Sequence, residues 1–278
     1  PNNKPDGANQ CADSSMSPGK TYYYAIFTQD TDENWNDEVI QGVNAGKVKH
    51  KGEPLPKKKA KTLFPLQEGK QNNYSLILKS GGDTLTGTIT TSFVGEREIN
   101  GETVTTQKTI RKLRGHQDTS FYFYMWGDDG VYEVATKNPS DLKPQVYQEP
   151  GPVIQYPVGV GYGWSKTIEA PFRDQEVDVE VKETVTKINS QVTVPAGNFN
   201  QCVKTELNGS KKIEIKESTL LGLSNYKKKR YLIEIEGKKW LAPGVGTVQF
   251  YIKMSSYDAE TDELEGEITM IEKLEEVE

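Results

Sequence analysis

Val177-Asp178-Val179-Glu180-Val181-Lys182-Glu183-Thr184-Val185 is the stretch that decides the fold. Its valines share one parity, interrupted only by Glu183, and polar residues fill the other. A strand turns successive side chains to opposite faces, so this alternation describes a strand with one dry side and one wet side. Val248, Phe250, Ile252 and Met254 repeat the pattern, with Gln249, Tyr251 and Lys253 between them. Working outward, further strands are expected at Tyr22 to Thr28, Tyr74 to Lys79, Thr84 to Val94, Thr103 to Leu113, Phe121 to Trp126, Lys211 to Glu217 and Lys229 to Glu236. Asn100-Gly101, Asn208-Gly209 and Gly81-Gly82-Asp83 supply residues that tolerate positive φ, the chemistry of hairpin turns. Helix is predicted only as a turn or two at Ser218 to Asn225. Glu267 to Leu274, in the acidic tail from Asp258, reads as a last strand or a short helix. The expected class is all-β with little helix: a curved antiparallel sheet or open half-barrel.

The bulk composition suits such a sheet. Of 278 residues, 34% are hydrophobic, yet 14 Tyr, 8 Phe and 4 Trp are too many aromatics for a disordered chain. The net charge of -6 repels phosphate backbones, so nucleic acid is excluded as an expected partner. Lys57-Lys58-Lys59-Ala60-Lys61 and Lys227-Lys228-Lys229-Arg230 read as solvated loops or edge-strand guards, because no aromatic platform is interleaved with them. No run approaches the roughly 20 apolar residues that span a bilayer.

Residues 1–20 are polar, rich in turn formers and without periodicity, which suits a flexible tether behind a removed export signal. Around Cys202 the apolar residues Phe199, Val203 and Leu207 fall on odd positions, which turns Cys202 toward Asn200, Lys204 and Glu206. A thiol on the wet side is available to Cys11, and a Cys11–Cys202 bridge would fit an oxidising compartment. Two unpaired cysteines are the alternative.

The chain also echoes itself. Pro65-Leu66-Gln67-Glu68-Gly69 followed by Tyr74 is answered by Pro157-Val158-Gly159-Val160-Gly161 followed by Trp164. Gly101 with Lys108-Thr109 is answered by Gly197 with Lys204-Thr205 at the same spacing. Trp126-Gly127-Asp128-Asp129-Gly130-Val131 is answered by Trp240-Leu241-Ala242-Pro243-Gly244-Val245. The order is kept and only loop insertions separate the pairs, which predicts two diverged repeats, about 64–135 and about 156–253, inside a β domain spanning 21–257, with an acidic segment at 258–278.

Val192-Thr193-Val194-Pro195-Ala196-Gly197-Asn198-Phe199-Asn200, then Val203-Lys204, then Trp240-Leu241-Ala242-Pro243-Gly244-Val245-Gly246-Thr247-Val248 resemble the TapB-like family of uncharacterised bacterial envelope proteins, many of them predicted lipoproteins. Pro65 to Tyr74 and Trp126 to Tyr132 match two further elements of that family. Asn198 stands where Thr is common, and Asn73-Tyr74 where the first copy usually carries Trp. The resemblance covers roughly Phe64 to Lys253. It implies a half-barrel similar to LolA/LolB-type lipoprotein carriers and a location in the cell envelope, periplasmic or on the surface. It brings no catalytic residues. Ala8-Asn9-Gln10-Cys11 is not a lipobox, so any membrane attachment is expected through a lipid anchor upstream of Pro1.

Candidate chemistry is thin. His50 and His116 lie in Lys- and Arg-rich contexts with no second ligand at metal-binding spacing. Asp30 to Glu38 alternates oxygen ligands like a calcium loop, but Trp35 replaces the turn glycine and Gln41 the closing Glu. Gly159-Val160-Gly161-Tyr162-Gly163 lacks the helix of a phosphate cradle and reads as a strand-entry loop. No catalytic, cofactor or metal site is expected, so the chain reads as a non-enzyme. Phe121-Tyr122-Phe123-Tyr124-Met125-Trp126 puts aromatics on both faces of a strand, the pattern of a central strand packed on each side or of a wall facing a cavity. Phe121, Phe123, Trp126, Trp164 and Trp240 are the candidate wall. A half-barrel has a concave face to fill, so the expected role is binding a lipid, another apolar small molecule or a protein partner there, in a cavity lined by Phe, Tyr, Leu and Val. A structural or adhesive module with a fully packed core is the alternative.

Overall fold

The structure is a computed structural model, and it describes residues 16–25, 45–173, 175–218 and 226–278. Alternation carries through into strands almost everywhere. β1 (Thr21–Ala25) and β2 (Ala45–Lys49) form a separate antiparallel ribbon. A 12-stranded sheet holds the others: β3 (Gln71–Ser80), β4 (Asp83–Ile99), β5 (Glu102–Leu113), β6 (His116–Trp126), β7 (Gly130–Lys137), β8 (Gln145–Gln155), β9 (Gly163–Phe172), β10 (Gln175–Val194), β11 (Gly197–Ser218), β12 (Tyr226–Ala242), β13 (Gly246–Asp258) and β14 (Leu264–Val277).

The strand order is β8-β7-β6-β5-β4-β3-β14-β13-β12-β11-β10-β9, antiparallel throughout. The first and last strands of the sheet, β3 and β14, are hydrogen-bonded at its centre. Its two edges, β8 and β9, are neighbours in sequence and approach each other, so the sheet curls into a nearly closed barrel with its seam between them. Residues 264–277 thus take the strand option at the end of the chain, tying one six-stranded run to the other. Of the anchors paired in the sequence, Tyr74 and Trp164 lie in β3 and β9, Gly101 in the β4–β5 turn and Gly197 at the start of β11, and Trp126 and Trp240 near the ends of β6 and β12.

Turn chemistry explains several joins. Asn100 and Gly101 take φ of 52° and 84° between the paired residues Ile99 and Glu102, a two-residue turn whose twist suits a hairpin. Asn208-Gly209 is not a turn, contrary to the sequence expectation. Both residues lie inside β11, and a Cβ on Gly209 would come within 2.4 Å of the Glu180 carbonyl oxygen, so the glycine permits close strand approach. The Lys57-to-Lys61 run is also corrected: it forms a short helix, α1 (Lys57–Lys61), with Ala60 buried. Lys228 and Lys229 lie in β12, an interior strand, and so guard no edge. The helical turn expected at Ser218 to Asn225 falls almost wholly outside the described residues, as does the Asp30 to Glu38 loop.

Register shifts bend two hairpin tips over the sheet. A bulge between Phe93 and Glu96 folds the β4–β5 tip over β6 and β7, where Ile99 and Val104 pack on Phe123, Val134 and Ala135. The β10–β11 tip does the same farther along, with Val192, Val194 and Phe199 packing near Trp240, Val248 and Leu274, and the Ala196 N–H donating to the Leu274 carbonyl (3.0 Å). That cover overturns the exposure expected of Cys202. Its side chain keeps the face of Lys204 and Trp240, opposite Val203 and Leu241, but the β10–β11 tip lays Val192, Val194 and Phe199 over that face and leaves Cys202 0% exposed. Burial raises its thiol pKa. It is unbridged among the described residues, and Cys11 lies outside them.

Candidate ligand pocket in the concave face

Three charged side chains sit where the strand pattern calls for apolar ones. Glu183 shares the parity of Val177, Val179 and Val181; Lys166 that of Trp164 and Ile168; Lys239 that of Ile233 and Ile235. All three enter the concave face. Glu183 is 0% exposed. Its Oε1 accepts hydrogen bonds from Lys239 Nζ (2.7 Å) and Thr205 Oγ1 (2.7 Å), and its Oε2 from Lys166 Nζ (2.8 Å). Burial opposes the charge on Glu183, but the Lys239 and Lys166 ammonium groups outweigh it and hold the carboxyl at about 2. Burial pulls Lys239 down to about 8 against the raising effect of Glu183.

More polar groups gather on this face. Burial pushes the Glu272 carboxyl up to about 7, with Arg111 working against the shift. Burial also raises Glu133, which accepts a hydrogen bond from Tyr147 OH (2.8 Å). Tyr122 and Tyr124 face inward, and burial raises both phenols. Tyr74 OH donates to the Thr247 carbonyl (2.9 Å).

Between these groups lies a cavity of about 220 Å³. Its polar lining includes Asn72, Tyr74, Tyr124, Lys166, Lys239 and Glu272, and its apolar lining includes Phe64, Phe93, Val245 and Phe250. The walls come from strands on both sides of the β3–β14 junction, and the cavity is partly open to solvent. Asn72 is 7% exposed. Its Nδ2 reaches Tyr74 OH (3.2 Å) and the Val245 carbonyl (3.3 Å), while its buried Oδ1 meets no donor among the described residues.

The segment around α1 covers this end of the barrel. Leu55 N–H donates to the Val158 carbonyl (2.7 Å), and Gly244 N–H to the Thr62 carbonyl (2.8 Å). Lys57 Nζ reaches the Asp128 carbonyl. Ala60 and Leu63 bury themselves against Ile154, Trp164, Val185 and Leu241. Phe64 sets its ring edge-on to Tyr124 (centroids 5.1 Å apart) and Phe93 (6.2 Å). A second depression, about 340 Å³, is lined by Phe172, Arg173, Ile233, Met254, Glu265 and Ile268.

The five candidate wall aromatics do not converge. Phe121 and Phe123 turn away from Tyr122 and Tyr124 and pack beneath the β4–β5 tip. Trp126 is 39% exposed at the end of β6, with Lys61 Nζ 5.4 Å from its ring centroid. Trp164 is buried under the α1 segment, and its Nε1 finds no acceptor among the described residues. Trp240 lies in the Cys202 cluster beside Lys204. The aromatics that do reach the cavity are Phe64, Tyr74, Phe93, Tyr124 and Phe250, so its lining is more polar than the Phe, Tyr, Leu and Val expected. Sequence held one signal for the missed charges: ionisable residues on the apolar parity of β9, β10 and β12. Among the described residues, no group of three or more His, Cys, Asp or Glu side chains is placed to hold a metal ion, and no helix is long and apolar enough to cross a membrane.

No protein-family model and no curated protein matches the chain, so the TapB-like resemblance rests on its own motifs. Two solved structures align with it. One is a protein of Bacteroides fragilis NCTC 9343 provisionally classed as exported, with a YmcC-like fold; it is 14% identical, covering 77% of this chain and 98% of the other, with a TM-score of 0.33. The second, from Parabacteroides distasonis ATCC 8503, is provisionally classed as a lipoprotein; it is 13% identical, covering 78% and 98%, with a TM-score of 0.35.

Proposed function

We propose that this protein is a non-enzymatic binding protein of the cell envelope that takes a small amphiphilic ligand into its concave face. The observation that carries this reading is the cavity beneath the α1 segment, where Lys166, Lys239 and Glu272 share one lining with Phe64, Phe93 and Phe250. Ligand pockets characteristically combine an apolar lining with a few converging polar groups. The TapB-like motifs supply the envelope location, and the anchor positions in the two six-stranded runs support descent of those runs from one duplicated unit.

A second reading has its own support. Much of the concave face in β9–β13 is filled by Phe172, Val179, Val181, Tyr231, Ile233 and Ile235, which favours a packed structural module for that half. Cavity filling separates the two. Thr91 lines the cavity, and Thr91→Phe inserts a ring into it. A binding site loses its ligand on this substitution, as read by native mass spectrometry of protein purified from its own host without organic extraction. Wild-type protein that never carries a ligand in that experiment favours the packed module.

A further inference from the structure

We propose that the concave cavity is a carboxylate site, in which the ligand's anionic group rests against Lys166 and Lys239 and its short apolar remainder against Phe64, Phe93 and Phe250. This rests on the binding-protein reading and names its ligand class.

The first support is charge. Glu183 is shared by two ammonium groups, at 2.8 Å and 2.7 Å, so the triad of Lys166, Glu183 and Lys239 has one more cation than anion. Each ammonium carries three donors. Glu183 uses one from each, and both lysines line the cavity with the rest. Glu272, from β14, is the acid in the same lining. Desolvated there, it favours its protonated form below about pH 7, in which it donates a hydrogen bond rather than cancelling the lysine charge. Arg111 of β5, which opposes the rise of Glu272, and Glu133 of β7, whose own rise Lys166 opposes, also bear on this region.

Asn72 is the second, independent support. A buried amide oxygen without a donor is costly, and a ligand carrying polar hydrogens beside its carboxylate relieves that cost. Size is compatible with the class, because about 220 Å³ admits a short acid.

Isothermal titration of the full chain at pH 6.5 tests the assignment, using hexanoate, hexanol, hexylamine and inorganic phosphate as probes. Hexanoate binds about tenfold or more tightly than hexanol, as one or two charge-assisted hydrogen bonds require, and hexylamine does not bind. Lys166→Gln changes a partly exposed lysine, so folding is expected to survive; it weakens hexanoate by about tenfold and leaves hexanol unchanged. Lys239→Met does the same if its thermal unfolding remains cooperative. Equal binding of hexanoate and hexanol overturns the carboxylate assignment while sparing the binding-protein reading, and so does phosphate binding as tightly as hexanoate. Heats of dilution alone for all four probes overturn both.

Discussion

Replacing Glu183 with Gln tests the buried charge triad directly. The substitution keeps the shape of the side chain, so packing is not the variable. It removes the negative charge that accepts from Lys166 at 2.8 Å and Lys239 at 2.7 Å, and it points an amide N–H₂ at one of the two ammonium groups. Two charge-assisted hydrogen bonds are worth roughly 1.5–3 kcal/mol each, and leaving a buried charge unpaired typically costs about 3–5 kcal/mol. Destabilisation near the upper value is expected at pH 7, because Lys239 is almost as buried as Glu183. Urea titration followed by tryptophan fluorescence measures it, with the slope unchanged and the midpoint lowered.

A pH dependence distinguishes this cause from lost packing. Lys239 titrates at about 8 in the native protein, against 10.5 for an unperturbed lysine. Without Glu183 its native pKa falls further, so between that lower value and 8 the variant binds fewer protons than the wild type. Its stability therefore rises relative to the wild type through this window, and the deficit narrows as pH approaches 9. A loss below about 1 kcal/mol at pH 7, or a loss constant from pH 6 to 9, would refute the reasoning.

Further predictions concern the cap, the wall and the thiol. Leu63→Ala empties a fully buried site under α1 and is expected to cost about 2–5 kcal/mol by thermal or urea unfolding, with faster amide exchange in residues 55–64. Glu272 has its native carboxyl raised to about 7 from 4.5, so its contribution is fully present below pH 4.5 and is lost as pH rises through 7. Glu272→Gln is therefore expected to flatten the decline in stability between pH 5 and 8, measured by the urea midpoint. Cys202 is expected to resist a thiol reagent in native buffer and to react only as fast as the protein unfolds, a rate that hydrogen exchange of β11 measures separately.

The sheet was legible because its pattern is local. Val177 to Val185 and Val248 to Met254 alternate without help from distant residues, and Asn100-Gly101 needs only its own φ preferences. Asn208-Gly209 carries the same turn chemistry but lies mid-strand, because what constrains Gly209 is the Glu180 carbonyl on the next strand, a contact no local pattern records. The exposure of Cys202 was misjudged for a related reason. Its parity held, but no local pattern records that the β10–β11 tip, bent at its register shifts, folds Val192, Val194 and Phe199 over that face. α1 was hidden by its lysines: one buried alanine and the flanking Leu63 hold it in place, far too little periodicity to register as a helix. In β6 the aromatic pattern announced two packed faces but not which one turned inward, and it is the Tyr124 phenol rather than a Phe ring of this strand that lines the cavity.

The interior charges follow from the geometry of so wide a sheet. Eight strands already enclose a space that side chains just fill, so a 12-stranded curl must flatten, admit water or hold something. In β9–β13 side chains fill the space, Val179 and Val181 meeting Ile233 and Ile235 across β11 where Gly209 has no side chain. Farther along the same strands that layer is interrupted, because Lys166, Glu183 and Lys239, with Glu272 of β14, enter where it would continue. A hydrophobic set of equal volume would often be as stable or more so. Such charges are a poor means of stabilising a core, and a cavity with two lysines on one acid is a reasonable means of recognising an anion. Stability and recognition therefore make opposite demands at this site. The triple substitution Lys166→Met, Glu183→Leu and Lys239→Met is expected to keep or raise stability while abolishing carboxylate binding, and a variant that instead unfolds would show the charges to be structural.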